Sequence, residues 1–248
     1  MFRGRTGTAL ALAVGALLLQ TAGAPAQGAL TATLDASGII RLSRGGTALA
    51  VIELNAHGPD WKHAPQADAA ARASDLPAPG GKQFVGALPI PNTNGGALEF
   101  TQTVTPIPEG LRLEYDIAAG ATMRLNGLQL SILLPVDSYA GQEVVVSRFD
   151  AESQIVGLPQ EPPTQGFQLW FGEGAKIEIA KGAEGAATVE LRAPTDVVIQ
   201  DLRQWEQSVF EVRFPAIMEE QGREVTQDDR FHLDLTVAFP EPVKLQGP

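Results

Sequence analysis

The chain has 248 residues, no cysteine, and 18 Lys plus Arg against 29 Asp plus Glu, a formal charge of −11. That length sets one large domain or two small ones, and the acidic balance excludes binding of nucleic acid or anionic lipid by bulk charge. Without cysteine there are no disulfides, no thiol nucleophile and no Cys-based zinc or iron–sulfur site, while 44% hydrophobic residues exclude global disorder.

Residues 1–26 read as a secretory signal. Arg3 and Arg5 precede the uncharged, mostly apolar run Ala9–Leu19, and the small-residue sites Ala22-Gly23-Ala24 and Ala24-Pro25-Ala26 follow. Cleavage is expected after Ala26. An apolar run of this length makes about 16 Å of helix, too short for a hydrocarbon core of about 30 Å. No Cys follows, so lipid attachment by a lipoprotein route is excluded. The expectation is a secreted or periplasmic protein, with residues 27–248 as a single domain and no membrane insertion after signal removal.

From residue 29 onward apolar and polar residues alternate with period two, the signature of half-buried strands. Strands are expected at 29–34, 38–43, 47–54, 97–104, 111–117, 127–134, 142–149, 167–171, 175–180, 186–191, 196–202, 210–214 and 231–239. In Leu111–Ile117, Leu111, Leu113, Tyr115 and Ile117 face one way, and Arg112, Glu114 and Asp116 the other. Phe210, Val212 and Phe214 form a second apolar row with Glu211 and Arg213 opposite. Phe231, Leu233, Leu235, Val237 and Phe239 form a third, opposed by His232 and Asp234. Turns separate these runs at Asp35–Gly38, Arg44–Gly46, Asn92–Gly96, Pro108–Gly110 and Gly182–Gly185. The Ala-rich stretch Asp68–Ala73 predicts one or two helical turns inside an irregular segment, 55–82. A second Pro-rich connection spans 152–166, and the tail 240–248 reads as loose. The fold class expected is all-β, a large antiparallel β-sandwich with very little helix.

Candidate ligand contacts come from three places. His57 and His63 bracket Trp61, and Asp60, Trp61 and His63 combine an aromatic platform with hydrogen-bonding groups, as sugar sites do; the alternative is a loop whose Trp plugs a sandwich edge. The six-residue His spacing, interrupted by Pro59, is no known metal signature, so no metal and no cofactor are implied. Arg112, His232 and Asp234, with Arg148, would offer acid–base groups if their strands line a concave sheet; the same alternation describes any solvated face. In Phe167–Phe171, parity sends Phe167, Leu169 and Phe171 to one side and Trp170 to the other, so Trp170 is a candidate platform against a core role. Trp205, flanked by polar residues, is another. Gly-x-Ser-x-Gly and phosphate-binding Gly loops are absent.

Three segments carry a family resemblance: Leu34–Leu42 followed by Gly45-Gly46; Phe84–Pro89 with Gly96–Phe100 and Leu111–Ile117; and Val225–Leu233. In strand rhythm and turn placement they resemble the galactose-mutarotase-like β-supersandwich, which occurs in sugar epimerases and as accessory domains of secreted glycoside hydrolases and polysaccharide lyases. The resemblance implies a glycan ligand. It also implies, for enzymes, His residues and a carboxylate on the concave sheet moving protons at the anomeric carbon. That pattern is not matched here residue by residue, so no catalytic residue is assigned. The expected function is non-catalytic glycan binding or an accessory role. The alternatives are a sugar-active epimerase, lyase or hydrolase, and a structural envelope protein. Convergence of Arg112, Arg148, His232 and Asp234 in one cleft would favour the enzyme; an exposed strip of Trp61, Trp170 or Trp205 would favour the binder.

Overall fold

A computed structural model describes residues 28–248; the expected leader, 1–26, lies outside them. Sixteen strands follow in chain order: β1 (Leu30–Leu34), β2 (Ile40–Arg44), β3 (Thr47–Gly58), β4 (Lys62–Pro65), β5 (Ala70–Asp75), β6 (Lys82–Pro89), β7 (Ala97–Ile107), β8 (Gly110–Ala119), β9 (Met123–Pro135), β10 (Glu143–Ser147), β11 (Gln154–Gly157), β12 (Gln168–Ile179), β13 (Ala187–Asp201), β14 (Val209–Val225), β15 (Arg230–Ala238) and β16 (Lys244–Gln246). The only α-helical segment among the described residues is the single turn Val136–Tyr139.

The strands form one hydrogen-bonded sheet in the order β16-β1-β2-β3-β9-β14-β13-β15-β8-β7-β6-β5; off this path β4 pairs with β3, and β12 pairs with β13 and carries β10, which carries β11. The sheet folds over itself because, besides β12, β13 serves two neighbours in succession. Its N-terminal part, Thr188–Leu191, pairs with β15, and its C-terminal part, Val198–Asp201, pairs with β14. Between them lies Pro194, which has no N–H to give a ladder. The two halves thus face each other as the layers of a sandwich, and their apolar rows meet in one core. Ile52, Leu54, Leu130, Ile132, Phe210 and Phe214 come from one half, and Phe84, Phe100, Leu113 and Tyr115 from the other. The fold class is all-β and sandwich-like, as its alternation indicates. Among the described residues all ladders are antiparallel except one: β16 runs parallel to β1.

Three local expectations are corrected. The segment read as helical at Asp68–Ala73 is a 3₁₀ turn at Gln66–Asp68 followed by the edge strand β5, because pairing of Ala70–Asp75 with β6 outweighs the helix propensity of Ala. The segment 55–82, read as irregular, carries the end of β3, all of β4 and β5, and the turn between them. The amide of Gln66 holds that turn down: its Oε1 accepts from Leu54 N at 2.7 Å, and its Nε2 donates to Ser37 O and to Gln102 Oε1. The tail is not loose: β16 adds to the sheet, and the buried Arg44 guanidinium pairs with Glu241 and donates to the carbonyl of Glu184.

Candidate functional site

The outward face of β3, β9, β14 and β13 is unusual for strands this apolar. Along β3, Ile52, Leu54 and Ala56 point into the core while Glu53, Asn55 and His57 point out. On β9, Leu128, Leu130 and Ile132 are core and Gln129 and Ser131 lie on the other face. On β14, Phe210, Val212 and Phe214 are core, with Glu211 and Arg213 opposite. The register stacks these side chains side by side: Glu53 beside Ser131 beside Arg213, and Asn55 beside Gln129. Gln200 of β13 sits next to Glu211. The result is a polar floor sunk below walls, in a cavity of about 710 Å³, within the range of small-ligand sites.

The walls are aromatic. The turn Pro59–Trp61 brings Trp61 over the floor, with Asp60 and Trp61 both in the left-handed region at φ 60° and 56°. Two such non-glycine residues in succession cost on the order of 1–3 kcal/mol each, a cost that clusters at functional sites. The His57 ring meets Trp61 edge-on with centroids 5.5 Å apart and lies 5.2 Å from His63. Across the cavity Phe167 and Trp205 form a T-shaped pair at 4.5 Å. Trp205 is 49% exposed.

The polar groups form two chains. His63 Nε2 donates to Asn55 Oδ1 at 2.8 Å, and Asn55 Nδ2 donates to Glu53 Oε1 at 3.1 Å. With Nε2 bearing the hydrogen, His63 keeps the Nδ1 lone pair free. Glu211, 2% exposed, has both oxygens engaged: Oε1 accepts from Ser131 Oγ at 2.5 Å and Oε2 from Arg213 Nη2 at 2.8 Å. Burial pushes the Glu53 carboxyl above its ordinary value against the hydrogen bond from Asn55. Burial pulls both histidines down, His57 to about 3 with further push from Arg213. Burial thus shifts the Glu53 carboxyl and both imidazoles in the direction of their neutral forms. Three buried polar atoms in this cavity have no partner: His57 Nδ1, Gln129 Oε1 and Arg213 Nε. Among the described residues no group of three or more His, Asp or Glu is placed to hold a metal ion.

Of the residues singled out from sequence, Trp61, His63 and Trp205 share this cavity. Arg112, His232 and Asp234 do not. They lie on the outer face of the β8–β15 ladder, where Arg112 bridges Asp234 and Glu114, and His232 Nδ1 pairs with Asp116 at 2.8 Å. The Arg112 guanidinium there holds the Asp234 carboxyl below the usual range. Arg148 follows β10 and is absent from the cavity lining. The parity expected for Phe167–Phe171 fails: a bulge between Gln168 and Trp170 turns Trp170 onto the core and leaves Phe171 47% exposed. Glu53, Asn55, Gln129, Gln200, Glu211 and Arg213 were not legible as a site. The available signal was polar residues at alternate positions in very apolar strands; what brings them together is the strand pairing.

No protein-family model and no curated protein sequence matches the chain. Solved structures do. A 4-alpha-glucanotransferase from Thermococcus litoralis superposes over 78% of this chain with a TM-score of 0.45 and 11% identity, and the chain spans only 28% of that protein. A candidate aldose 1-epimerase from Escherichia coli K12 superposes over 84% of this chain and 98% of its own, with a TM-score of 0.51 and 9% identity. At that identity the likeness is one of architecture: the chain has the galactose-mutarotase-like β-supersandwich fold.

Proposed function

We propose that the cavity between Trp61 and Trp205 is a saccharide site and that the protein is a sugar-active enzyme working on the hemiacetal of an aldose. The observation that carries this reading is the set of unpartnered buried polar atoms on the floor, His57 Nδ1, Gln129 Oε1 and Arg213 Nε. Buried polar groups are otherwise almost always satisfied, and here they belong to residues that line one cavity with aromatic walls suited to the apolar face of a pyranose. The fold shared with a candidate aldose 1-epimerase supports the same reading.

The chemistry follows from the two groups moved toward neutrality. His63 Nδ1 takes the proton from the anomeric O1–H. The C1–O5 bond breaks, its electron pair goes to O5, and the Glu53 carboxyl delivers a proton there. Rotation about C1–C2 in the open aldehyde and reversal of the steps yields the other anomer, with no net gain or loss of protons or electrons. Asn55 holds both groups in register, and the Glu211–Arg213 pair presents the Arg213 Nε to a ring substituent.

Anomer exchange of D-glucose, D-galactose and D-mannose, followed by NMR, tests this. The wild type is expected to exceed the spontaneous rate, and Glu53→Gln to lower kcat by about a hundredfold or more, the usual weight of one acid–base group. Wild-type exchange at the spontaneous rate for all three sugars would sink the catalytic reading. A second reading, glycan binding without turnover, is favoured by the exposed Phe167–Trp205 pair; it would show as quenching of tryptophan fluorescence without exchange. Secretion belongs to either proposal and is supported by the pattern of residues 1–26.

A further inference from the structure

The cavity is longer than one sugar ring. Under it β9 runs beside β3 without a register shift, from Gly127, which pairs with His57, to Leu133, which pairs with Val51. That stretch measures about 20 Å at roughly 3.3 Å per residue. Trp61 stands at the first end, edge-on to His57. Phe167 and Trp205 stand at the other. From Leu133 the pairing leads across to Glu211, Gln200 and Gln168 in turn. Phe167 precedes Gln168, and Trp205 ends the 3₁₀ turn that follows β13. Both aromatic ends line the same cavity. A pyranose is one six-membered ring of single bonds and spans well under half of this distance, so a ring stacked on Trp61 leaves the Phe167–Trp205 pair untouched.

The chemistry is divided along the same axis. His63 pairs with His57 itself, and Glu53 is joined to His63 through Asn55, so the acid–base groups sit toward Trp61. Beyond Glu53, toward Trp205, the lining is rich in amides: Gln168, Gln200 and Gln207. Each amide both donates and accepts, as a row of sugar hydroxyls requires. The carboxylate in that half, Glu211, is spent on Ser131 and Arg213. Gln168 and Gln207 are exposed, and the Trp205 ring beside them is 49% exposed. We propose that the cavity takes an oligosaccharide, with its reducing-end unit at Glu53 and His63 and the next units over the amides toward Phe167 and Trp205; this rests on the saccharide reading of the cavity. The remote units meet no free acid or base. Their contacts add binding energy and leave the reaction at the first unit unchanged in kind. Trp205 is therefore a length-selecting residue.

Calorimetric titration of the full-length protein tests this, with D-glucose, D-galactose and D-mannose beside their 1,4-linked di- and trisaccharides. In at least one series the trisaccharide should bind about tenfold or more tighter than its monosaccharide, in keeping with one further ring stacked on an aromatic face. Trp205→Ala should remove most of that ratio, whereas Trp61→Ala should weaken every length by a similar factor and keep it. Melting curves confirm folding, and Gln168→Ala, an exposed change on the same half, should lower the ratio in the same direction. Monosaccharides that bind as tightly as every longer chain overturn the proposal, and the wild type alone gives that result. A length ratio kept in folded Trp205→Ala also overturns it. So does a trisaccharide that binds by its length but whose reducing end is not exchanged when its monosaccharide is, because its chain then lies the other way round. Failure of every sugar to bind, at any length, overturns the saccharide reading itself and this proposal with it.

Discussion

His57 packs between Trp61 and His63 with its Nδ1 unpaired, and burial holds its pKa at about 3 against an ordinary 6.5. Between those values the unfolded chain binds a proton that the folded chain refuses. Stability is then full above about pH 6.5 and falls as pH drops toward 3, by up to a few kcal/mol from this residue alone. Acidic residues whose pKa is lowered on folding, such as Asp234, also lose stability in acid, so the discriminating quantity is a difference. Thermal melts of wild type and His57→Asn at pH 7 and pH 4.5 should show the smaller drop in the variant. Equal drops would mean that His57 takes up its proton in the folded state without penalty.

At the scale of strands, the alternation of Leu111–Ile117, Phe210–Phe214 and Phe231–Phe239 made the sheet legible, because a half-buried strand writes its two faces directly into the sequence. The site was legible only in part, through Trp61, His63 and Trp205, which stand in conspicuous turns. Glu53, Gln129 and Arg213 lie on three different strands, and no local pattern states that those strands are neighbours. Parity also breaks where a bulge inserts a residue, which is why Trp170 is inside and Phe171 outside. The Pro-containing tail concealed another element: β16 is three residues long and is held by the pairing of Glu241 with Arg44, whose side chain is 7% exposed. Glu241→Gln removes the charge facing a buried guanidinium and should cost about 1–3 kcal/mol in urea unfolding; a change below about 0.5 kcal/mol, the scale of an ordinary surface substitution, would show that the tail is held without it.

For the whole molecule, the first and last strands carry a dependence that no single residue reveals. Among the described residues β1 is covered on one edge by β2 and on the other by β16 alone, and the pairing of Thr31 with Lys244 joins positions roughly two hundred residues apart. Contacts this remote form late, since the loop between them must close first. A chain synthesised from its N-terminus therefore carries β1 with a bare strand edge until Lys244–Gln246 have emerged, and bare edges recruit other chains. Ending the chain at Phe239 should leave the cavity and its binding intact at low concentration while promoting concentration-dependent association, read by light scattering. A truncated protein as monodisperse as the full chain would contradict this. β16 acts as a timing device: its emergence decides when during synthesis the β1 edge stops being adhesive.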